Sequence, residues 1–219
     1  MNIFFVLLLL FAAAIGNGAE NFTSFTEKDG GGDITVTSTK SDVTTMIRNT
    51  DSCVSEDYGA GNFTTFVHDI EAYYSFQDTY GLGGIYYVGD TDGCTVAVFN
   101  TIDHGFGSWF YNGRLYIRNA ANGNEDYGAV SISTLYYLTY ERTGSTQKCY
   151  IYSDSGRTSL VDTLEVTYDG AAYQYLGVTF SRESSAVPSD AISFYVQNLD
   201  LNEAATTPEV GYPQIIICE

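Results

Sequence analysis

The chain has 219 residues and carries 27 Asp and Glu against 9 Lys and Arg, a formal net charge of -18. Such a surface repels phosphate backbones and excludes nucleic acid as a partner, while it suits solubility or the binding of divalent cations. With 19 Tyr, 13 Phe and 22 Gly but only 3 Pro, the composition favours pleated strands joined by glycine-bearing turns.

The chain opens on the apolar run Ile3 to Ile15, followed by small residues at Gly16, Gly18 and Ala19. The run is shorter than the roughly 20 residues a spanning helix needs. It predicts residues 1–19 as a cleaved signal peptide, with a retained N-terminal anchor as the alternative. A secreted or cell-surface, extracellular location follows, with no stable membrane insertion after cleavage. About 200 residues remain, which suits one large all-β domain. Residues 20–32, with Gly30, Gly31 and Gly32, read as a flexible lead-in, residues 33–202 as a β-sandwich, and residues 203–219 as a loop and terminal strand, Gln214 to Cys218.

From Asp33 onward short alternating segments are punctuated by Gly, Asn and Asp, with no helical period, the pattern of a sandwich or barrel. The predicted strands are Ile34 to Ser38, Val43 to Arg48, Phe63 to Tyr74, Gly84 to Val88, Thr95 to Asn100, Gly107 to Tyr111 and Arg114 to Asn119. Leu135 to Arg142, Lys148 to Ser153, Asp162 to Thr167, Tyr173 to Ser181 and Ala191 to Leu201 complete the set. Asn112-Gly113 is a two-residue hairpin signal. Parity separates the faces: Leu176, Val178 and Phe180 point inward, as do Ile192, Phe194 and Val196, and Leu115 and Ile117. The opposite faces, with Tyr173, Tyr175 and Thr179, with Ser193, Tyr195 and Gln197, and with Arg114, Tyr116 and Arg118, are rich in tyrosine and polar groups.

Four cysteines, Cys53, Cys94, Cys149 and Cys218, predict two disulfides in an exported chain, with three pairings open. Asn21 and Asn62 each head an Asn-x-Thr triplet and are candidate N-glycosylation acceptors.

The segments Leu135 to Arg142, Ile151-Tyr152-Ser153-Asp154, Asp162-Thr163-Leu164, Tyr173 to Leu176 and Asn198-Leu199-Asp200-Leu201, in that order, resemble the concanavalin A-like, laminin-G-like jelly-roll family. The resemblance implies a two-sheet antiparallel jelly-roll β-sandwich, a fold that hosts lectins, glycan hydrolases, adhesion modules and surface proteins. Hydrolases of that family carry E-x-D-x-E on one strand face. The matching stretch here is Val67-His68-Asp69-Ile70-Glu71, without the first Glu, which predicts that the chain is not an enzyme.

Two loops concentrate hard oxygen ligands suited to Ca²⁺: Asp90 and Asp92 in one, Glu125 and Asp126 in the other. For carbohydrate, Trp109, Tyr111, Tyr116 and Arg118 flank the predicted hairpin, where rings stack on sugars and polar tips bond hydroxyls; the competing reading is that Trp109 is core and the tyrosines only suit strands. The sequence therefore predicts a recognition module for glycans, with calcium as candidate support. The rival is a structural subunit of an extracellular filament, surface layer or virion, assembled from copies of itself by strand addition through Gln214 to Cys218 or the lead-in.

Overall fold

The computed structural model describes residues 18–47, 52–92, 105–167, 170–181 and 190–202. A 3-10 turn, Phe22–Ser24, precedes fourteen strands. They are β1 (Thr26–Asp29), β2 (Ile34–Val36), β3 (Lys40–Ile47), β4 (Ser52–Asp57), β5 (Phe66–Gln77), β6 (Leu82–Gly89), β7 (Gly105–Tyr111), β8 (Arg114–Asn119), β9 (Glu125–Ala129), β10 (Thr134–Thr143), β11 (Thr146–Tyr152), β12 (Leu160–Thr167), β13 (Tyr175–Ser181) and β14 (Ala191–Asp200). Sheet A runs β1-β4-β13-β6-β7-β8-β9 and sheet B runs β12-β11-β10-β5-β14-β3-β2. The all-β, two-sheet antiparallel jelly-roll sandwich read from the sequence is the observed fold.

Three strands escape the sequence pattern: β1, β4 and β9. Each is short and largely polar, so the ladder and not apolar alternation defines it. β1 corrects the reading of residues 20–32 as a flexible lead-in. Thr26 to Asp29 pair in register with Ser55 to Ser52, and the segment is anchored by the buried rings of Phe22 and Phe25, 5.4 Å apart. The expected signal run up to residue 17, the strand Thr95 to Asn100 and the terminal segment Gln214 to Cys218 lie outside the described residues.

Strand β5 is the central strand of sheet B and shows how sequence becomes architecture. Phe66, His68, Ile70, Ala72 and Tyr74 turn into the interior and are buried, so Val67, Asp69, Glu71 and Tyr73 must emerge on the opposite face. The interior between the sheets is aromatic, with Tyr86 stacked on Tyr140 at 3.9 Å and Tyr74 on Phe110 at 4.8 Å. It also carries polar groups that find partners inside it. His68 Nδ1 lies 2.7 Å from Tyr86 Oη, Gln147 donates to Tyr173 Oη at 2.8 Å, and Tyr140 is bonded to Ser108. Burial pushes the His68 imidazole down to about 3, so the ring is neutral at ordinary pH.

The Asn112-Gly113 turn forms as predicted, with both residues at positive φ (51° and 66°), the geometry a two-residue hairpin requires. Gly83 and Gly84 serve a different end: a Cβ on the first would overlap the Phe194 ring, and one on the second the Phe180 ring. Phe180 itself corrects the parity reading. A register shift between Gly177 and Thr179 inserts one residue, so Thr179 turns inward to donate to Ser41 Oγ at 2.8 Å. Phe180 is thereby delivered to the other face of sheet A.

At one side of the sandwich the edge strands of the two sheets, β9 and β12, are tied together. Asp126 on β9 accepts from the backbone N–H of Tyr127 at 2.8 Å and, with its second oxygen, from that of Glu165 on β12 at 2.9 Å. Asp162 accepts from the Thr163 N–H at 2.8 Å, and its other oxygen lies where a Cβ on residue 128 would stand, which explains glycine there. Edge amides that could pair with another chain are thus capped by the protein's own carboxylates.

Candidate functional site

The hairpin expected to hold sugar is closed by its own packing. Trp109 and Tyr116 sit directly across from each other on β7 and β8, stack at 5.5 Å with an interplanar angle of 6°, and are 1% and 9% exposed. They join Cys53, Leu82, Tyr87 and Phe180 in a second apolar cluster on the outer face of sheet A. Tyr111 and Arg118 are half-buried at its margin. Rings held this way have no open face for a sugar, so Trp109 and Tyr116 are corrected from binding residues to packing residues.

The two loops named for calcium lie apart, and several of their side chains have partners within the protein. Asp92 is paired with Lys28 at 3.0 Å, both Asp126 oxygens are engaged by backbone donors, and Glu125 lies across the ladder from Arg118. Asp90 and Asp92 follow β6, while Glu125 and Asp126 open β9, three strands away in sheet A. At about 4.8 Å per strand that is about 14 Å, so the two loops are separate candidates, as the sequence has them. Among the described residues no three His, Cys, Asp or Glu side chains gather as a metal site.

The cysteine scheme also changes. Cys149 on β11 is a free, buried thiol, opposite Tyr140 in the ladder, and burial pushes its ionisation far up. Two disulfides using all four cysteines are therefore not formed. Cys53 is disulfide-bonded, and Cys94 and Cys218 lie outside the described residues. Asn21 and Asn62 are both exposed, and the Asn21 side chain accepts from the Thr23 N–H at 3.2 Å.

A different surface has the composition of a ligand site. On the outer face of sheet B, strands far apart in the chain lie side by side and align their outward residues in rows. One row runs Leu160, Tyr152, Tyr137, Glu71, Gln197 and Lys40 across β12, β11, β10, β5, β14 and β3. At its centre the Gln197 amide donates to Glu71 Oε2 at 2.7 Å. The next row places Tyr73 beside Tyr195, their rings stacked at 4.9 Å, with the Lys40 ammonium 4.0 Å from the Tyr195 ring centroid. A third row aligns Tyr150, Thr139 and Asp69. Thr139 donates to Asp69, and Asn202 reaches the other oxygen of that carboxylate at 3.1 Å.

Five tyrosines, Tyr73, Tyr137, Tyr150, Tyr152 and Tyr195, are half-buried on this face. Burial and Glu141 raise the ionisation of Tyr150, and burial and Tyr73 raise that of Tyr195, so these hydroxyls stay protonated as hydrogen-bond donors. From the β11–β12 turn Arg157 leans over the face, its Nε 3.1 Å from Asp69. Next to Asn202 the surface dips into a depression of about 290 Å³ lined by Thr65, Phe66, Val67, Arg142 and Thr143. Asp69 and Glu71 share a strand face, a fact visible in the sequence. Apart from Tyr73 on the same strand, their tyrosine and amide surroundings come from strands 60 and more residues away, which only the sheet order brings together.

No family model and no curated protein matches the chain. Among solved structures, a functionally unknown protein from Saccharomyces cerevisiae has a TM-score of 0.53 at 14% identity, covering 82% of this chain and 96% of that one. The exoplasmic/lumenal domain of VIP36, in a Ca²⁺/Man3GlcNAc-bound form, has a TM-score of 0.51 at 10% identity, covering 84% and 85%. A Trypanosoma rangeli sialidase in complex with 2,3-difluorosialic acid gives 0.51 at 10% identity over 78% of this chain. The chain spans 26% of that sialidase's length. At such identities the likeness shows the fold alone, a two-sheet antiparallel β-sandwich.

The sialidases overturn one expectation. Several solved structures similar to this sandwich are enzymes, so the fold gives no ground for reading the chain as non-enzymatic, and Val67 in place of a Glu does not establish it. Among the described residues no helix is long and apolar enough to cross a membrane.

Proposed function

We propose that this protein is an exported carbohydrate-binding domain and that glycan lies on the outer face of sheet B. The observation that carries this reading is the half-buried tyrosine platform, Tyr73 with Tyr195 and Tyr137 with Tyr152, set around the Glu71–Gln197 pair. Tyrosine rings offer flat apolar area at low entropic cost, and a carboxylate held beside an amide presents both acceptor and donor to vicinal hydroxyls. The VIP36 domain, solved with Man3GlcNAc, supports glycan as the ligand class for such a sandwich. The apolar run Ile3 to Ile15 supports export, and Asn21 and Asn62 are then the acceptor positions for N-glycans.

The test is binding of the purified protein to a broad glycan array, followed by titration calorimetry of hits with Tyr137→Ala and Tyr195→Ala. Loss of affinity by about tenfold or more in either variant, with an unchanged far-ultraviolet spectrum, supports the face as the site. Hits that survive both substitutions place the site elsewhere.

A further inference from the structure

The outer face of sheet B also has a charge pattern that selects among glycans. Six carboxylates share it: Asp42, Asp69, Glu71, Glu141, Glu165 and Asp200. The cations of that face among the described residues are already engaged. Lys40 pairs with Asp42 at 2.6 Å, Lys148 with Glu165 at 3.2 Å, and Arg157 lies 3.1 Å from Asp69. Glu71, by contrast, is held by a neutral donor, Gln197 at 2.7 Å, and Glu141 accepts from Tyr150 at 3.2 Å and Thr143 at 2.7 Å, while Lys148, bound to Glu165, stands opposite it in the ladder. Neutral donors orient a carboxylate without cancelling its charge.

We infer that this face takes uncharged glycans and rejects those bearing carboxylate or sulfate, an inference that rests on the glycan-binding reading of the same face. A sugar acid laid across the tyrosine rows meets Glu71 at the centre and Glu141 beside Tyr150, with no unengaged cation among the described residues to receive it. Like charges set against each other in a contact oppose association, and the whole chain, at -18, adds long-range repulsion of the same sign. The tyrosine-bearing part of the rows, from β11 to Lys40 on β3, crosses four strand spacings or about 19 Å, so the occupant is an extended run of several sugar rings.

The experiment compares matched pairs on the full chain: polygalacturonate against its methyl ester, sulfated against unsulfated galactan, and sialylated against desialylated N-glycan. The neutral member is expected to bind about tenfold tighter at low salt, with the gap narrowing as salt screens the face. Glu141→Lys is expected to narrow it as well, and the salt series carries the test if that variant folds poorly. Equal or tighter binding of the charged members overturns the selectivity and leaves the glycan-binding reading standing. Binding to no member of any pair on the array overturns both.

Discussion

The outer faces of the two sheets are built from similar side chains and end in opposite states. On sheet A, Trp109, Tyr116, Tyr87 and Phe180 close on one another into a second apolar cluster. On sheet B, the tyrosines alternate with carboxylates and amides, and no such cluster forms among the described residues. Two local features account for the contrast. The bulge at Gly177 brings Phe180 onto the sheet A face, and Gly84 leaves room for its ring. On sheet B, charged residues at Asp69, Glu71 and Glu141 interrupt the aromatic rows and keep the surface wet. Aromatic content alone therefore does not mark a binding surface; what lies between the rings does.

The comparison can be broken most severely at Trp109. Trp109→Ala is expected to cost about 3–5 kcal/mol, the range for emptying a large buried side chain, while glycan affinity of the folded fraction stays unchanged. Denaturant titration with parallel calorimetry checks this, and a stable Trp109→Ala protein that no longer binds sugar would reverse the roles assigned to the two faces.

The layer between the faces predicts an acid dependence. His68 is lowered from 6.5 to about 3 when folded, so the unfolded chain takes up a proton that the native chain does not. Stability is full above the unfolded value and declines as pH falls from about 6.5 toward 3, by about 2 kcal/mol between pH 7.5 and pH 5. His68→Gln is expected to flatten that part of the profile. An unchanged slope in the variant would remove His68 as its source.

On sheet B the expected stability effects are smaller. Tyr137→Ala and Tyr195→Ala are expected to shift stability by under about 1 kcal/mol, since both side chains are only half-buried. Their consequence is in affinity, read from the same calorimetry. A loss of several kcal/mol in either would mean that this face is packed like its counterpart.

The smallest effect is expected at Cys149, which lies beneath that face. A thiol reagent is expected to leave it unmodified in the native protein and to label it once denaturant unfolds the chain, as peptide mapping of the labelled protein would read. Rapid native labelling would show that the layer under β11 is open.

Much of this molecule is legible from its sequence, and the exceptions have a common cause. The Asn112-Gly113 hairpin, the inward set Ile192, Phe194 and Val196, and the sandwich itself follow from turn chemistry and period-two alternation, both local properties. β1 and β9 are edge strands whose few polar residues carry no alternation. Phe180 was assigned to the wrong face because one inserted residue reverses parity, and nothing local announces it. Between sugar binding and packing the sequence leaves Trp109 and Tyr116 open, because burial of an outward face depends on what else reaches that face. The platform on sheet B requires β11, β10, β5 and β14 to be neighbours, and sheet order is a long-range fact.

The double use of Asp126, one oxygen to each edge strand, bears on how the chain behaves in a crowd. Exported proteins meet many copies of themselves at the point of release, and a sandwich with open borders can act as a template for its own polymerisation. Here a single acidic side chain occupies the seam from both sides and withdraws two amides from that chemistry. Asp126→Ala is expected to free the Tyr127 and Glu165 amides at this border and to raise self-association over that of the unaltered chain, as light scattering would read.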